Sequence, residues 1–154
     1  MARSGKFGII TDTFEANYSR YQIGEGNYEI RKIVFLVSGI YGLLVLLPQY
    51  FLETKNGMDF PPPINHPEYY YGFIGVGVAW QILFLILSSD PVRYRLMMIP
   101  AMFEKFSFTV AAAILFFQNR IPSMVFGFGM IDFVLGILFI LSFIKTEERV
   151  IKIN

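Results

Sequence analysis

Cysteine is absent from the 154 residues, which removes disulfide frameworks, thiol nucleophiles, cysteine-held iron–sulfur clusters and cysteine zinc sites. Histidine occurs once, so the chain cannot supply two axial haem ligands or a histidine-rich metal centre. Charge is scarce. Asp, Glu, Lys and Arg make up 16% of the chain, against about a quarter in a soluble domain. The 13 basic and 12 acidic residues sum to +1, too even a balance for a broad grip on nucleic acid, and no nucleic-acid partner is expected. Gly24-Glu25-Gly26-Asn27 is too short and irregular for a phosphate loop, and no internal repeat is evident. No residue pattern calls for a metal or a cofactor.

What is present is apolar. Hydrophobic residues make up 55% and aromatic residues 18% of the chain, with a mean hydropathy of +0.51. A hydrocarbon core about 30 Å thick needs roughly 20 apolar residues in a helix, and four stretches meet that length. They run from Ile33 to about Leu52 (33–52), from Tyr69 to Ser89 (69–89), from Pro91 to Phe117 (91–117) and from Pro122 to Ile144 (122–144). The expected fold is an all-α integral membrane protein with a four-transmembrane-helix bundle over 33–144. A cytoplasmic arm (1–32) precedes the bundle, an outer loop (53–68) interrupts it and a short cytoplasmic tail (145–154) follows it. The first span begins too far into the chain, and lacks the small-residue cleavage site, for a cleaved signal peptide; it reads as a signal anchor.

Asp90-Pro91 looks like an N-cap with proline at the first helical position, and Asn119-Arg120-Ile121-Pro122 makes a second tight hairpin. Pro61-Pro62-Pro63 favours extended polyproline geometry in the outer loop. Lys and Arg set the orientation. Arg3, Lys6, Arg20, Arg31, Lys32, Arg93, Arg95, Lys145, Arg149 and Lys152 lie on one side, against only Lys55 and Arg120 on the other. Both termini are therefore expected in the cytoplasm, with Tyr50, Tyr69, Tyr70 and Tyr71 at the outer interface. In the arm, Asp12 and Glu15 form a capping-box-like pair. The helix they would start puts Phe14, Tyr18 and Tyr21 on one face, suited to the membrane surface or to a partner protein.

The candidate site consists of residues that lipid should exclude. At 1.5 Å per residue, Tyr41, Gln81 and Glu104 each lie about 12 Å from the cytoplasmic end of their spans. Asp132 lies about 13 Å from the outer end of the fourth. Four helices thus place polar atoms in one slab near the midplane: Tyr41, Gln81, Glu104, Lys105, Ser107 and Asp132. Pro100, Glu104, Ser107 and Ala111 share one face of the third span, Gly129, Asp132 and Gly136 one face of the fourth, and Ser38, Tyr41 and Gly42 one face of the first. Adjacent in sequence, Glu104 and Lys105 point about 100° apart and should not face each other. A lone charge at this depth costs at least about 2.5–3.5 kcal/mol, so Lys105 should pair with Asp132 across helices. Glu104 would then be neutral, or bond to Tyr41, Gln81 or water. Such a network either moves protons or pins the bundle's register. His66, in the outer loop and followed by proline, reads as a turn residue.

Four short spans, a proline-rich outer loop and the basic Asp90-Pro91-Val92-Arg93 turn resemble the small bacterial membrane proteins grouped as DoxX-like, over roughly Ile33 to Ile144. The stretch from His66 to Phe73, with Ala79-Trp80-Gln81 and Phe103-Glu104-Lys105, also looks like uncharacterised bacterial membrane proteins. The resemblance implies a bacterial inner-membrane setting and carries no catalytic residue with it. Three functions stay open, in this order: an accessory or assembly subunit of a larger membrane complex, a proton-linked carrier or binding protein for a small lipophilic ligand, and an intramembrane enzyme on a lipid or quinone. The first expects a protein partner. A carrier with only four spans would need a second copy. The enzyme reading lacks a nucleophile, a metal cluster and a redox motif.

Charge distribution makes the orientation testable. With Asn56 replaced by cysteine in this cysteine-free chain, a membrane-impermeant maleimide should label intact cells from outside; labelling only after the cytoplasmic face is opened would reverse the topology.

Overall fold

The computed structural model describes residues 28–151, with side chains described to residue 146. The arm helix expected around Phe14, Tyr18 and Tyr21 lies outside the described residues. Among those described, all regular structure is helical, and four helical stretches are long and apolar enough to cross a membrane: Tyr28–Phe51, Pro67–Ser89, Arg95–Phe117 and Ser123–Thr146. Their 23 or 24 residues correspond to about 35 Å of helix, enough to span with some tilt.

Helix α1 covers 28–46 and already includes residues assigned from sequence to the arm. Glu29 and Lys32, one turn apart, pair at 3.6 Å there. It tightens into a 3₁₀ turn over Leu47–Phe51, because Pro48 has no N–H to continue the α-helical ladder. A short helix, α2 (Glu53–Asp59), follows in the loop, braced by a 2.6 Å Lys55–Asp59 pair. The Pro61–Pro62 peptide bond is cis where the sequence suggests an extended run. Helix α3 (Pro67–Ser89) starts with proline at its first position.

The α3–α4 connection differs from the expected capped helix start. Asp90 does cap, accepting a hydrogen bond from Arg93 N–H at 3.1 Å, but it caps a turn over residues 91–94. A 3₁₀ turn over Arg95–Met97 then leads into α4 (Met98–Phe117), so the third span begins later than Pro91. Asn119 ends α4 in the left-handed region at φ 57°. Arg120 N–H reaches Leu115 O and Asn119 N–H reaches Phe116 O, both at 2.9 Å, the double closure of a Schellman cap. Helix α5 (Ser123–Ile151) runs on past the apolar stretch.

The helices alternate up and down, so residue 28, the α3–α4 turn and Thr146 lie at one end, called here the base. The fully buried core sits there: Phe35 of α1, Phe84 and Leu87 of α3, Met98 and Ala101 of α4, and Phe139 of α5. Phe139 joins the other two rings, 4.5 Å from Phe35 and 5.1 Å from Phe84 between centroids. Polar side chains near the base, Ser38, Ser142 and Thr146, donate to carbonyls one turn back in their own helices.

Small residues draw the helices together in two pairs. Gly39 of α1 faces the Leu85 side chain and Gly77 of α3 faces Leu46; a Cβ on either would come within 3 Å of it. Gly129 and Gly136 do the same for α5 against Ala112 and Phe106 of α4. Helix α4 packs along α5, whereas α3 and α4 touch little. Apolar residues such as Leu44, Phe103, Val110 and Phe117 face outward, as lipid contact requires.

Candidate functional site

Away from the base the two helix pairs part, leaving a cavity of about 470 Å³ between all four spanning helices. Its walls are mainly apolar and aromatic: Val45 and Leu46 from α1, Phe73 and Trp80 from α3, Phe108 from α4, and Val125 and Phe128 from α5. Of the lining residues, Phe73, Val76 and Ser107 are exposed, the first two to 63% and 61%. They lie on α3 and α4.

The polar slab forms the cavity's floor. Lys105 donates to Asp132 Oδ1 at 3.0 Å, the cross-helix pair that matching depth leads one to expect. The same ammonium lies 3.3 Å from Glu104 Oε2 and 5.1 Å from the centre of the Phe84 ring. Lys105 is buried, and its two carboxylates are only slightly more accessible. One ammonium thus serves two carboxyl groups, with the aromatic core on one side and the cavity on the other.

That arrangement corrects the sequence reading of Glu104. Neighbouring Cα–Cβ bonds do diverge, but the lysine's four-carbon stem lets Nζ swing back to the preceding carboxylate. The inward stripe of α4 is Met98, Ala101, Lys105 and Ala112, one residue out of step with the Pro100–Glu104–Ser107–Ala111 face inferred from polarity. Ser107 is exposed at the cavity's edge and donates to the Glu104 carbonyl at 2.9 Å, so it takes no part in the side-chain cluster. Tyr41 and Gln81 line the cavity, but neither hydrogen-bonds to Glu104. On α5 the Gly129–Asp132–Gly136 stripe does face inward.

Gln81 is 2% exposed. Its Nε2 donates to Gly77 O at 3.1 Å, while Oε1 is buried with no hydrogen-bond partner among the described residues. Glu104 Oε2 is likewise buried, and meets the Lys105 ammonium at 3.3 Å. The Gln81 side chain lies where a Cβ on Gly42 would sit. Glycine at position 42 is therefore what lets this amide turn inward.

Two features carried no readable signal. Thr109 Oγ1 lies 2.9 Å from Lys105 O and 3.0 Å from Gly129 O, a bond within α4 and across to α5 at the floor. At the loop end, Asn56 Nδ2 donates to Gln49 Oε1 at 2.7 Å and to Tyr70 OH at 2.8 Å, and Tyr70 OH donates to Gln49 O at 2.7 Å. This network ties α2 to two residues that line the cavity, Gln49 and Tyr70, and Tyr71 adds a 2.7 Å bond to Glu53. Tyr70 is thus part of that network as well as a ring at the interface. A matching polar depth for Gln49 and Tyr70 was available in the sequence; the fold of the loop that brings in Asn56 was not. His66 sits exposed in its turn, 2.9 Å from Glu68. Among the described residues no group of His, Asp and Glu is placed to hold a metal ion.

No family model, curated protein or solved structure matches the chain. The chemistry of the site must be read from its own geometry.

Gly42→Ala should push the Gln81 amide out of its seat and lower stability by about 1–3 kcal/mol, the usual cost of overpacking. Adding Gln81→Ala should restore most of that loss in a thermal melt in lipid nanodiscs. Equal melting of wild type and Gly42→Ala would contradict the close contact.

Proposed function

We propose that this multi-pass membrane protein binds a small lipophilic ligand in the cavity between its helices. Glu104 and Asp132 are the groups that exchange a proton as the ligand enters or leaves. The observation that carries the reading is a 470 Å³ cavity with apolar walls and a floor of Lys105, Glu104 and Asp132 at mid-span. Apolar pockets with a few convergent polar groups are the usual form of a ligand site.

The orientation that fits the distribution of Lys and Arg puts the base and both termini in the cytoplasm and α2 outside. A bacterial inner membrane is the setting in keeping with the DoxX-like layout. The accessory-subunit reading relies on an arm outside the described residues, and the site's geometry adds nothing to it. An enzyme acting on a lipid or quinone would need a reacting group beyond the carboxyls and Tyr41.

Native mass spectrometry of protein released gently from its own membranes tests the proposal. The wild type should carry a small apolar adduct, and Val125→Phe, which narrows the cavity from α5, should lose it while melting within a few degrees of wild type. A stoichiometric protein partner with no small molecule would overturn the ligand reading in favour of a subunit role.

A further inference from the structure

The floor of the cavity specifies more than a lipophilic guest. We infer that the occupant is an organic cation: a protonated amine that carries at least one N–H and has an apolar or aromatic body. The inference rests on the ligand-binding reading above and narrows it to one chemical class.

Charge is the first reason. Among the described residues Lys105 is the one cation on the floor, and Glu104 and Asp132 both lie within 3.3 Å of it. With all three groups charged the cluster carries −1, in surroundings where an uncompensated charge is costly. An ammonium entering from the cavity side would bring the sum to zero. A carboxylate or phosphate would take it to −2.

Hydrogen bonding is the second reason. Gln81 Oε1 is a buried acceptor with no hydrogen-bond partner among the described residues, and Glu104 Oε2 meets the Lys105 ammonium at 3.3 Å. Gln81 is held in place by its own bond to Gly77 and by the absence of a side chain at Gly42. Leaving a buried acceptor unsatisfied is costly, so a guest that brings a donor to it is favoured. A protonated amine is rich in donors, whereas an ether, ketone or quinone oxygen would set acceptor against acceptor.

The walls supply the rest. Trp80, Phe73, Phe108 and Phe128 line the cavity, and aromatic faces attract a cation as well as an apolar body.

Trp80 is the only tryptophan and lines the cavity, so its fluorescence reports occupancy without a label. The full-length protein in lipid nanodiscs is titrated with 4-phenylbutylamine, with the near-isosteric 4-phenylbutan-1-ol and with 4-phenylbutanoate. The amine should give a saturable change at a concentration about tenfold or more below the alcohol, equivalent to roughly 1.4 kcal/mol, and the carboxylate should give none. Glu104→Gln, nearly the same shape without the charge, should erase the preference for amine over alcohol. An alcohol that binds as tightly as the amine, or a preference that survives Glu104→Gln, would overturn the cation assignment while leaving the cavity reading intact. No saturable response to any of the three, in protein whose circular dichroism and melting are normal, would overturn both.

Discussion

A lysine ammonium in the middle of a membrane-spanning bundle must be neutralised by something, and much of the site's structure follows from how Lys105 meets that demand. Placing a charge at this depth costs at least about 2.5–3.5 kcal/mol if it stands alone. Asp132 answers from α5 at 3.0 Å and Glu104 from the preceding residue at 3.3 Å. The first contact fixes the register of α4 against α5. Gly129 and Gly136, a turn either side of Asp132, let the two backbones come close enough to make it. Thr109 adds a hydroxyl bridge to Gly129 O near the same level. A pair that costs desolvation energy thereby sets which faces of two helices meet.

The same ammonium marks a boundary. Toward the base it rests 5.1 Å from the Phe84 ring, and beyond that ring Phe35, Phe139, Leu87, Met98 and Ala101 pack without exposure. Toward the loop the helix pairs separate and the cavity begins. The two halves serve different ends. A closed aromatic base holds four helices together, which frees the other half to stay open at a modest loss of packing. The carboxylates at the junction then become accessible to whatever fills the opening. Gln81 Oε1, next to the cluster, is buried with no hydrogen-bond partner among the described residues.

Spans and depths were legible in the sequence because each follows from a one-dimensional count. Apolar run length marked four spanning helices, and 1.5 Å per residue placed Lys105 level with Asp132 closely enough to pair them. Facing was less legible. Polarity alone put Glu104 and Ser107 on the inward side of α4, but Met98, Ala101 and Ala112 share the inward stripe with Lys105, so the small and apolar residues decided the rotation. The start of α4 was misplaced for a related reason: Asp90-Pro91 can open a helix or a turn, and the hydrogen bond to Arg93 N–H serves the turn. Contacts that depend on loop geometry or on a missing side chain left no trace in periodicity. Asn56 meets Tyr70 from 14 residues away, and Gln81 turns inward because position 42 on another helix is glycine.

Lys105 and Asp132 stabilise the bundle as a pair, and a double-mutant cycle measures their coupling. Lys105→Met, Asp132→Leu and the double variant would be melted alongside wild type in lipid nanodiscs. Lys105→Met strands two carboxylates at mid-span and should be the most damaging, by about 3–5 kcal/mol, the usual cost of breaking a buried pair. The double variant should lose less than the sum of the single losses, by about 1–3 kcal/mol. Strictly additive losses would mean that the two side chains do not depend on each other, and the account of the floor built on them would fail.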